Sequence, residues 1–319
     1  MAYDVSTLAN YTKENEALLV TSSVFGAKTQ QKISAQGNVL TGVKSSEQIN
    51  RIDTDAVFQS GAACGFTASG TTAITQRAVV VGKIKVQEAL CPKTLESKYT
   101  QKALQVGSKN ESIPFEQDYT DKKSARIAAQ NEVAIWQGDT ASADGNLNKF
   151  DGLIKLIDAA TNEILSNTAA LTNGGPIAVA TGVTQANIID IVDGVFKALP
   201  VALLDKPDTE IVLGWDLFRL YVLALREKNL YHYSADNTDG ELTIPGTNIK
   251  LVALNGLNGT NRVFGFRWSN IFLGTDMLNE EEKFEIFFAK EAQEVRFDTQ
   301  WKLGVNVAFP DEVVSFKLV

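Results

Sequence analysis

The sequence predicts an α+β fold in which helices and strands alternate without a clean linker between domains. Two patterns support this prediction. Lys83, Ile84, Lys85 and Val86 alternate between charged and apolar residues, which is typical of a strand with one solvated face. Residues 118–137 instead place apolar side chains at helical spacing and are followed by a glycine, which is typical of a long helix.

Composition narrows the class of protein. The chain has 319 residues, of which 44% are hydrophobic, so it can bury a substantial core. The formal net charge of -8 argues against binding duplex nucleic acid through a basic surface. Neither a signal peptide after Met1 nor an apolar stretch long enough for a bilayer is visible, so we expect a soluble protein made in the cytoplasm.

The two cysteines do not indicate a disulfide framework. Cys64 and Cys91 are far apart and form no C-x-x-C pair. We therefore expect two buried thiols in a reducing compartment.

The N-terminal residues 1–50 are rich in Ser, Thr, Gln, Asn and Gly. A short helix is predicted at Tyr11–Val20, and beyond it there is little apolar periodicity. Such a segment cannot bury enough surface to order itself alone. It is predicted to be either a flexible tail or an arm that is ordered by neighbouring subunits.

A β-ribbon is predicted over residues 51–90. Gly65 and Gly70 mark turns, Ala73–Val81 is a strand, and Lys83–Gln87 is its alternating continuation. Leu90-Cys91-Pro92 ends the ribbon, and a short helix is predicted at Lys93–Val106.

The long helix has recognisable ends. Asp118 or Thr120 can cap its start, and an apolar stripe runs along one side to Trp136. Gly138 stands where a left-handed residue would end the helix.

The rest of the chain alternates helices and strands. Helices are predicted at 152–165, 188–199 and 217–228, with Asp216 capping the last of these. Strands are predicted at 210–214, 249–253, 262–266, 270–274 and 284–288, and alternation continues through 294–319.

Catalytic chemistry has little support in this sequence. His232 is the only histidine, and no G-x-S-x-G motif, glycine-rich phosphate loop or calcium-loop spacing is present. The sequence therefore predicts no catalytic, cofactor-binding or metal site, and hence no enzyme.

Three short motifs, in this order, resemble the major capsid proteins of tailed bacteriophages, which have the HK97-like fold. They are Ala73–Arg77 leading through Lys83–Val86 to Leu90-Cys91-Pro92, then Asn131-Glu132 to Trp136-Gln137-Gly138-Asp139, and then Phe150-Asp151-Gly152-Leu153. The resemblance implies an N-terminal arm (1–50), an extended β-ribbon or E-loop (51–90), and a peripheral domain (91–150) whose long spine helix spans about 118–137. An axial domain (151–290) and returning C-terminal strands (291–319) would complete the subunit.

The resemblance also implies a function. The chain would be a structural subunit that assembles with itself, as hexamers and pentamers, into an icosahedral or prolate virion shell around double-stranded DNA. Its partners would be a portal protein and separate scaffolding or decoration proteins, and assembly would take place in the host cytoplasm. Arg77, Lys83 and Lys85 would contact neighbouring subunits, and Gly138 would cap the spine helix. Some family members link a lysine to an asparagine covalently, and here no motif identifies the asparagine.

Two alternatives remain open at this stage. An encapsulin-like bacterial compartment would share the fold without DNA or a portal. An unrelated α+β enzyme is the other alternative, and no set of residues argues for it.

Overall fold

Two β-sheets and a projecting two-stranded ribbon organise the chain. The computed structural model describes residues 27–61, 65–66, 68–90, 115–166, 177–228, 240–276, 283–292 and 294–319. The predicted helices Tyr11–Val20 and Lys93–Val106, both cysteines and His232 lie outside the described residues.

The first sheet is built around one long strand, β12 (Glu294–Val307). Its remaining strands are β1 (Val39–Leu40), β4 (Gly82–Leu90), β10 (Ile271–Thr275) and β11 (Lys283–Ala289). One half of β12 lies between β4 and β11, and its other half pairs with β10. The predicted alternation in β4 is confirmed, since Lys83 and Lys85 are exposed while Ile84 and Val86 pack against the core.

The second sheet is covered on both faces. Its strands run in the order β5 (Ile164–Leu165), β13 (Val314–Phe316), β9 (Val263–Arg267), β6 (Thr209–Gly214), β8 (Lys250–Leu254) and β7 (Glu241–Thr243). In β6, Ile211 and Leu213 belong to the core cluster formed with two helices, Ile188–Ala198 and Trp215–Glu227. Val212 points to the opposite face and belongs to a second core cluster, which includes Trp136 and Phe297. Both faces of β6 are therefore covered, and all of its residues are buried.

The predicted spine helix is confirmed as Phe115–Gln137. It spans both sheets. Its Tyr119 ring meets Phe297 of β12 edge-on at 6.1 Å, and its fully buried Trp136 lies 5.6 Å from Phe264 and 6.2 Å from Phe266 of β9. The long helix therefore packs against both sheets of the chain.

The described part of the predicted arm, residues 27–50, packs on the rest of the same chain, and the arm's contacts with neighbours stay a prediction. Helix α1 (Lys28–Ala35) packs on the spine helix, which is α2, and buries Ile33 completely. β1 adds a parallel strand to β10, and β2 (Ser46–Thr54) is already half of the ribbon. Thr29 and Gln30 are also fully buried. Because these buried residues are polar, the segment lacks the apolar periodicity that would have predicted a helix.

Two further boundaries differ from the predictions. The helix predicted at 152–165 ends early, since α3 covers Leu153–Asp158 and the chain then pairs with β13 as β5. After α4 (Ile188–Ala198), helix α5 (Trp215–Glu227) starts before its predicted cap, Asp216. Two side chains satisfy its first turn: Asn258 Oδ1 accepts from the Trp215 N–H at 2.7 Å, and the predicted cap, Asp216, accepts from the Leu217 N–H at 2.9 Å.

Candidate assembly surface

The ribbon exposes apolar side chains along most of its length. β2 pairs with β3 (Thr72–Val80) in antiparallel register, which places Ile52 opposite Ile74, and both remain about two-thirds exposed. The loop between them presents Phe58, which is 100% exposed, and Phe66, which is 95% exposed. An isolated hairpin is marginally stable in water, and contiguous exposed apolar surface marks an interaction site. This ribbon is therefore the best candidate for contact with another protein surface.

The root of the ribbon packs closely on the first sheet. Val79 is fully buried, and a Cβ added at Gly274 of β10 would lie 2.8 Å from its Cγ1. A Cβ at Gly304 of β12 would lie 2.1 Å from the carbonyl oxygen of Val80. Glycine at 304 lets the ribbon backbone cross β12, and glycine at 274 makes room for the Val79 side chain, so the root of the ribbon is closely packed on the sheet.

A clamp of two arginines around Phe309 fixes the other ribbon strand. Arg51 of β2 donates two hydrogen bonds to Asp311, at 2.7 and 2.9 Å, and its guanidinium lies 4.8 Å from the Phe309 ring centre. Arg267 of β9 approaches the same ring at 5.4 Å and donates two hydrogen bonds to Glu312. The carboxylate of Asp311 raises the pKa of Arg51. The clamp thus ties the ribbon to the second sheet as well as the first.

The residues predicted to contact neighbours occupy two different places. Arg77 lies at the ribbon root, where it donates a hydrogen bond to Asn306 of β12 at 3.3 Å and where burial lowers its pKa. Lys83 and Lys85 lie on β4, which pairs with β12 and is not part of the two-stranded ribbon. Arg77 and the two lysines therefore lie on different elements of the chain, and their contacts with neighbours stay a prediction.

Sequence reasoning missed the apolar tip and the clamp. Phe58 and Phe66 had a usable signal, since they are aromatic residues in a stretch otherwise rich in small residues. Arg51 and Asp311 had none, because 260 positions separate them in the chain.

A buried acid anchors α1 to the spine helix. Glu132 is 3% exposed, and its carboxylate accepts hydrogen bonds from the backbone N–H of Thr29, at 3.0 Å, and from the Thr29 hydroxyl. The Trp136 indole donates to the same hydroxyl oxygen at 2.9 Å. Burial raises the pKa of Glu132, because desolvation disfavours the carboxylate.

Replacing Glu132 by glutamine should flatten part of the pH dependence of stability. Because the folded pKa of Glu132 lies above its unfolded value, its contribution to stability is greatest below the unfolded pKa and falls as the pH rises through the folded pKa. Glutamine does not titrate there and can still accept from the Thr29 N–H. Urea denaturation of both proteins between pH 4 and pH 8 should show the variant gaining stability relative to the wild type as pH rises; parallel curves would contradict this.

Gly138 follows the spine helix directly, but its predicted left-handed conformation is wrong. Its φ is not positive, and a Cβ there would lie 2.6 Å from two backbone oxygens, those of Ala134 and Phe150. The Gly152 N–H donates to the Gly138 carbonyl at 2.8 Å. Glycine is required at 138 because the entry to α3 crosses the helix end at backbone distance.

Other classes of site find no structural support in the described ranges. There, His, Cys, Asp and Glu side chains form no group of three or more that could hold a metal ion. None of the helices in those ranges has the length and hydropathy needed to span a lipid bilayer.

Comparison with known proteins identifies the fold. No protein-family profile and no curated protein sequence matches the chain. Solved structures do match: a chain of the satellite phage P4 procapsid that includes the size determination (Sid) protein has 10% identity and a TM-score of 0.59, covering 94% of this chain and 98% of that one. The capsid of the native GTA particle gives 13% identity, a TM-score of 0.55 and 90% coverage of both chains. The capsid of cyanophage P-SCSP1u gives 14% identity and a TM-score of 0.50, covering 88% of this chain and 86% of that one.

These similarities extend over almost the whole chain, at identities that establish the fold alone. The α+β architecture predicted from the sequence is confirmed, and the chain has the HK97-like fold of these capsid chains.

Proposed function

We propose that this chain is a major capsid protein, the structural subunit of a phage head shell that encloses double-stranded DNA. The observation that most favours this function is the ribbon, whose tip displays Phe58 and Phe66 to solvent while its root is fixed to the body. The shared fold with capsid chains over nearly the full length supports the same proposal.

A shell requires each subunit to present a fixed contact surface to the next. Contacts of this kind are heterologous, and they close into a particle when the angle between subunits is set by symmetry. The clamp of Arg51, Phe309 and Arg267 supports this requirement, since it holds the ribbon in one direction relative to the second sheet. An acidic chain also suits a container that must not adhere to packaged DNA.

The proposed assembly has the partners that the family resemblance implies. The subunit would form hexamers and pentamers with itself, join a portal protein, and use separate scaffolding or decoration proteins. We place it in the virion, after assembly in the host cytoplasm, and assign it a structural rather than a catalytic role. The peripheral domain would end near residue 150, and Arg77, Lys83 and Lys85 would lie at contacts between subunits.

Electron microscopy of the expressed full-length chain tests the proposal. Negative staining should show closed shells or regular capsomers, and the chain should be the main protein of the particles. Discrete monomers at high concentration, with or without a co-expressed scaffolding protein, would contradict it. Shells that enclose a protein cargo and no DNA in the natural source would favour the encapsulin-like alternative.

A further inference from the structure

The outer edge of ribbon strand β2 has no partner strand among the described residues. β2 pairs only with β3, residue for residue over Ser46–Thr54 and without a bulge. Nine residues make a long edge, and β2 contains neither proline nor lysine, which often keep a sheet edge from pairing with another chain. The edge is therefore available to a further strand.

The hydrogen bonds at the two ends of the ribbon show which residues of β2 face outward. The Val81 N–H donates to the Ser45 carbonyl at 3.0 Å, and the Asp55 N–H donates to the Thr71 carbonyl at 3.2 Å. Odd-numbered residues of β2 therefore bond to β3. Because the pattern alternates in an antiparallel pair, the even-numbered residues direct their N–H and C=O groups away from the ribbon. The even-numbered residues are all exposed and uncharged: Ser46, Gln48, Asn50, Ile52 and Thr54.

The same face of the ribbon carries an apolar pair. Ile52 lies opposite Ile74, and these side chains are 66% and 65% exposed. The next pair along this face is joined by a hydrogen bond of 2.8 Å from Gln76 to Asn50. Side chains that are already fixed lose little conformational entropy when a partner covers them, which favours a contact on this side of the ribbon.

A second copy of β2 complements this edge in an antiparallel register centred on Ile52. With Ile52 opposite Ile52 of the second copy, Arg51 lies opposite Asp53 of that copy, and Asp53 lies opposite its Arg51. Opposite charges placed in this way stabilise a strand pair. Moving the centre by one residue would instead place Arg51 opposite Arg51, or Asp53 opposite Asp53, which is destabilising. The centred register also joins the four isoleucines of the two ribbons in one continuous row.

We propose that two copies of this chain join by antiparallel pairing of their β2 edges across a two-fold axis at Ile52. The two ribbons then form one four-stranded sheet, and the contact is isologous because both copies use the same edge. A two-stranded hairpin is marginally stable in water, whereas three or more strands with an apolar face are stable, so pairing also stabilises the ribbons. The proposal names the partner of the ribbon and therefore rests on the proposed function.

Disulfide trapping in the full chain tests the pairing. In a Cys64→Ser, Cys91→Ser background, Ile52→Cys should link two copies under a mild oxidant, because the Cα atoms of a hydrogen-bonded pair lie about 5.5 Å apart, within reach of a disulfide. Ile74→Cys is the matched control, since Ile74 has nearly the same exposure on the same face. Three strand spacings, about 14 Å, would separate this cysteine from its counterpart, so it should stay unlinked.

The outcomes separate this proposal from the proposed function. Absence of the Ile52→Cys link in assembled particles and in concentrated subunits would overturn the pairing, and shells that form without the link would leave the capsid function standing. Linking of Ile74→Cys as fast as Ile52→Cys would also overturn the pairing, because it would indicate ribbons stacked face to face. Linked dimers that never form shells would support the pairing and count against the capsid function.

A backbone variant tests the edge without a cysteine. Asn50→Pro removes an outward N–H and places a ring against the incoming strand, while proline at the outer edge of a ribbon leaves the inner hydrogen bonds intact. Asn50→Ala is the matched control, because it loses the same side chain and keeps the N–H. Sedimentation velocity should show dimer formation at least about tenfold weaker for the proline variant than for the alanine variant, with circular dichroism to verify folding. Equal association of the two variants would overturn the proposal.

Discussion

Replacing Phe58 and Phe66 together by serine should abolish shell assembly and leave a folded subunit. Both rings are almost fully exposed, so the subunit itself gains little from them. Covering one phenylalanine at a contact is worth about 1.5–3 kcal/mol, so the pair would contribute roughly 3–6 kcal/mol per subunit. That loss corresponds to a contact weaker by roughly 140- to 20,000-fold. Sedimentation velocity and electron microscopy would measure assembly, and thermal unfolding would verify the subunit.

The matched control is the double variant Phe58→Leu, Phe66→Leu. Leucine keeps most of the apolar surface, so this variant should still assemble, with a modest rise in the concentration required. Normal shell yield from the serine variant would show that the ribbon tip is not a subunit contact. Loss of assembly in both variants would indicate a need for the aromatic rings themselves.

Gly138→Ala should lower the free energy of unfolding by about 1–3 kcal/mol. The added Cβ would lie 2.6 Å from the backbone oxygens of Ala134 and Phe150, and backbone cannot move aside as a flexible side chain can. The crossing of the spine helix by the chain that enters α3 would have to open. Urea denaturation, with the slope compared between variants, would measure the loss.

Two comparisons separate this cause from a left-handed helix cap. Gly145→Ala lies in the following loop, where a Cβ would meet nothing within 4 Å, and it should change stability by less than about 0.5 kcal/mol. Gly138→Asn should be at least as destabilising as Gly138→Ala, because asparagine tolerates a left-handed φ but has the same Cβ. An asparagine variant close to the wild type would contradict the proposed backbone contact as the cause.

Local patterns predicted the elements whose residues respond to short-range rules. The spine helix was visible from its 3.6-residue periodicity, and β4 was visible because solvent faces one side of it. β6 and β8 were found as short apolar runs, since both of their faces are buried. These elements differ from their predicted bounds by only a few residues.

Helix α1 and strand β5 show where local patterns failed. α1 buries Thr29 and Gln30 together with Ile33, and its polar contact with Glu132 compensates for a weak apolar stripe. β5 continues a helical pattern but pairs with β13, a strand about 150 residues later. Pairing of this kind overrides local propensity, because the partner supplies the hydrogen bonds that a helix would otherwise supply.

The sequence by itself determined the α+β class, the long helix that ends before Gly138, and the ribbon strand β3. Only the tertiary structure decided why that glycine is needed, which strands share a sheet, and how the ribbon is held. Arg51 and Asp311, or Gly138 and Phe150, meet because the chain returns to the same place, and that proximity leaves no trace in the spacing of either residue. Periodicity reports the environment of one element, whereas these contacts depend on how all of the elements pack.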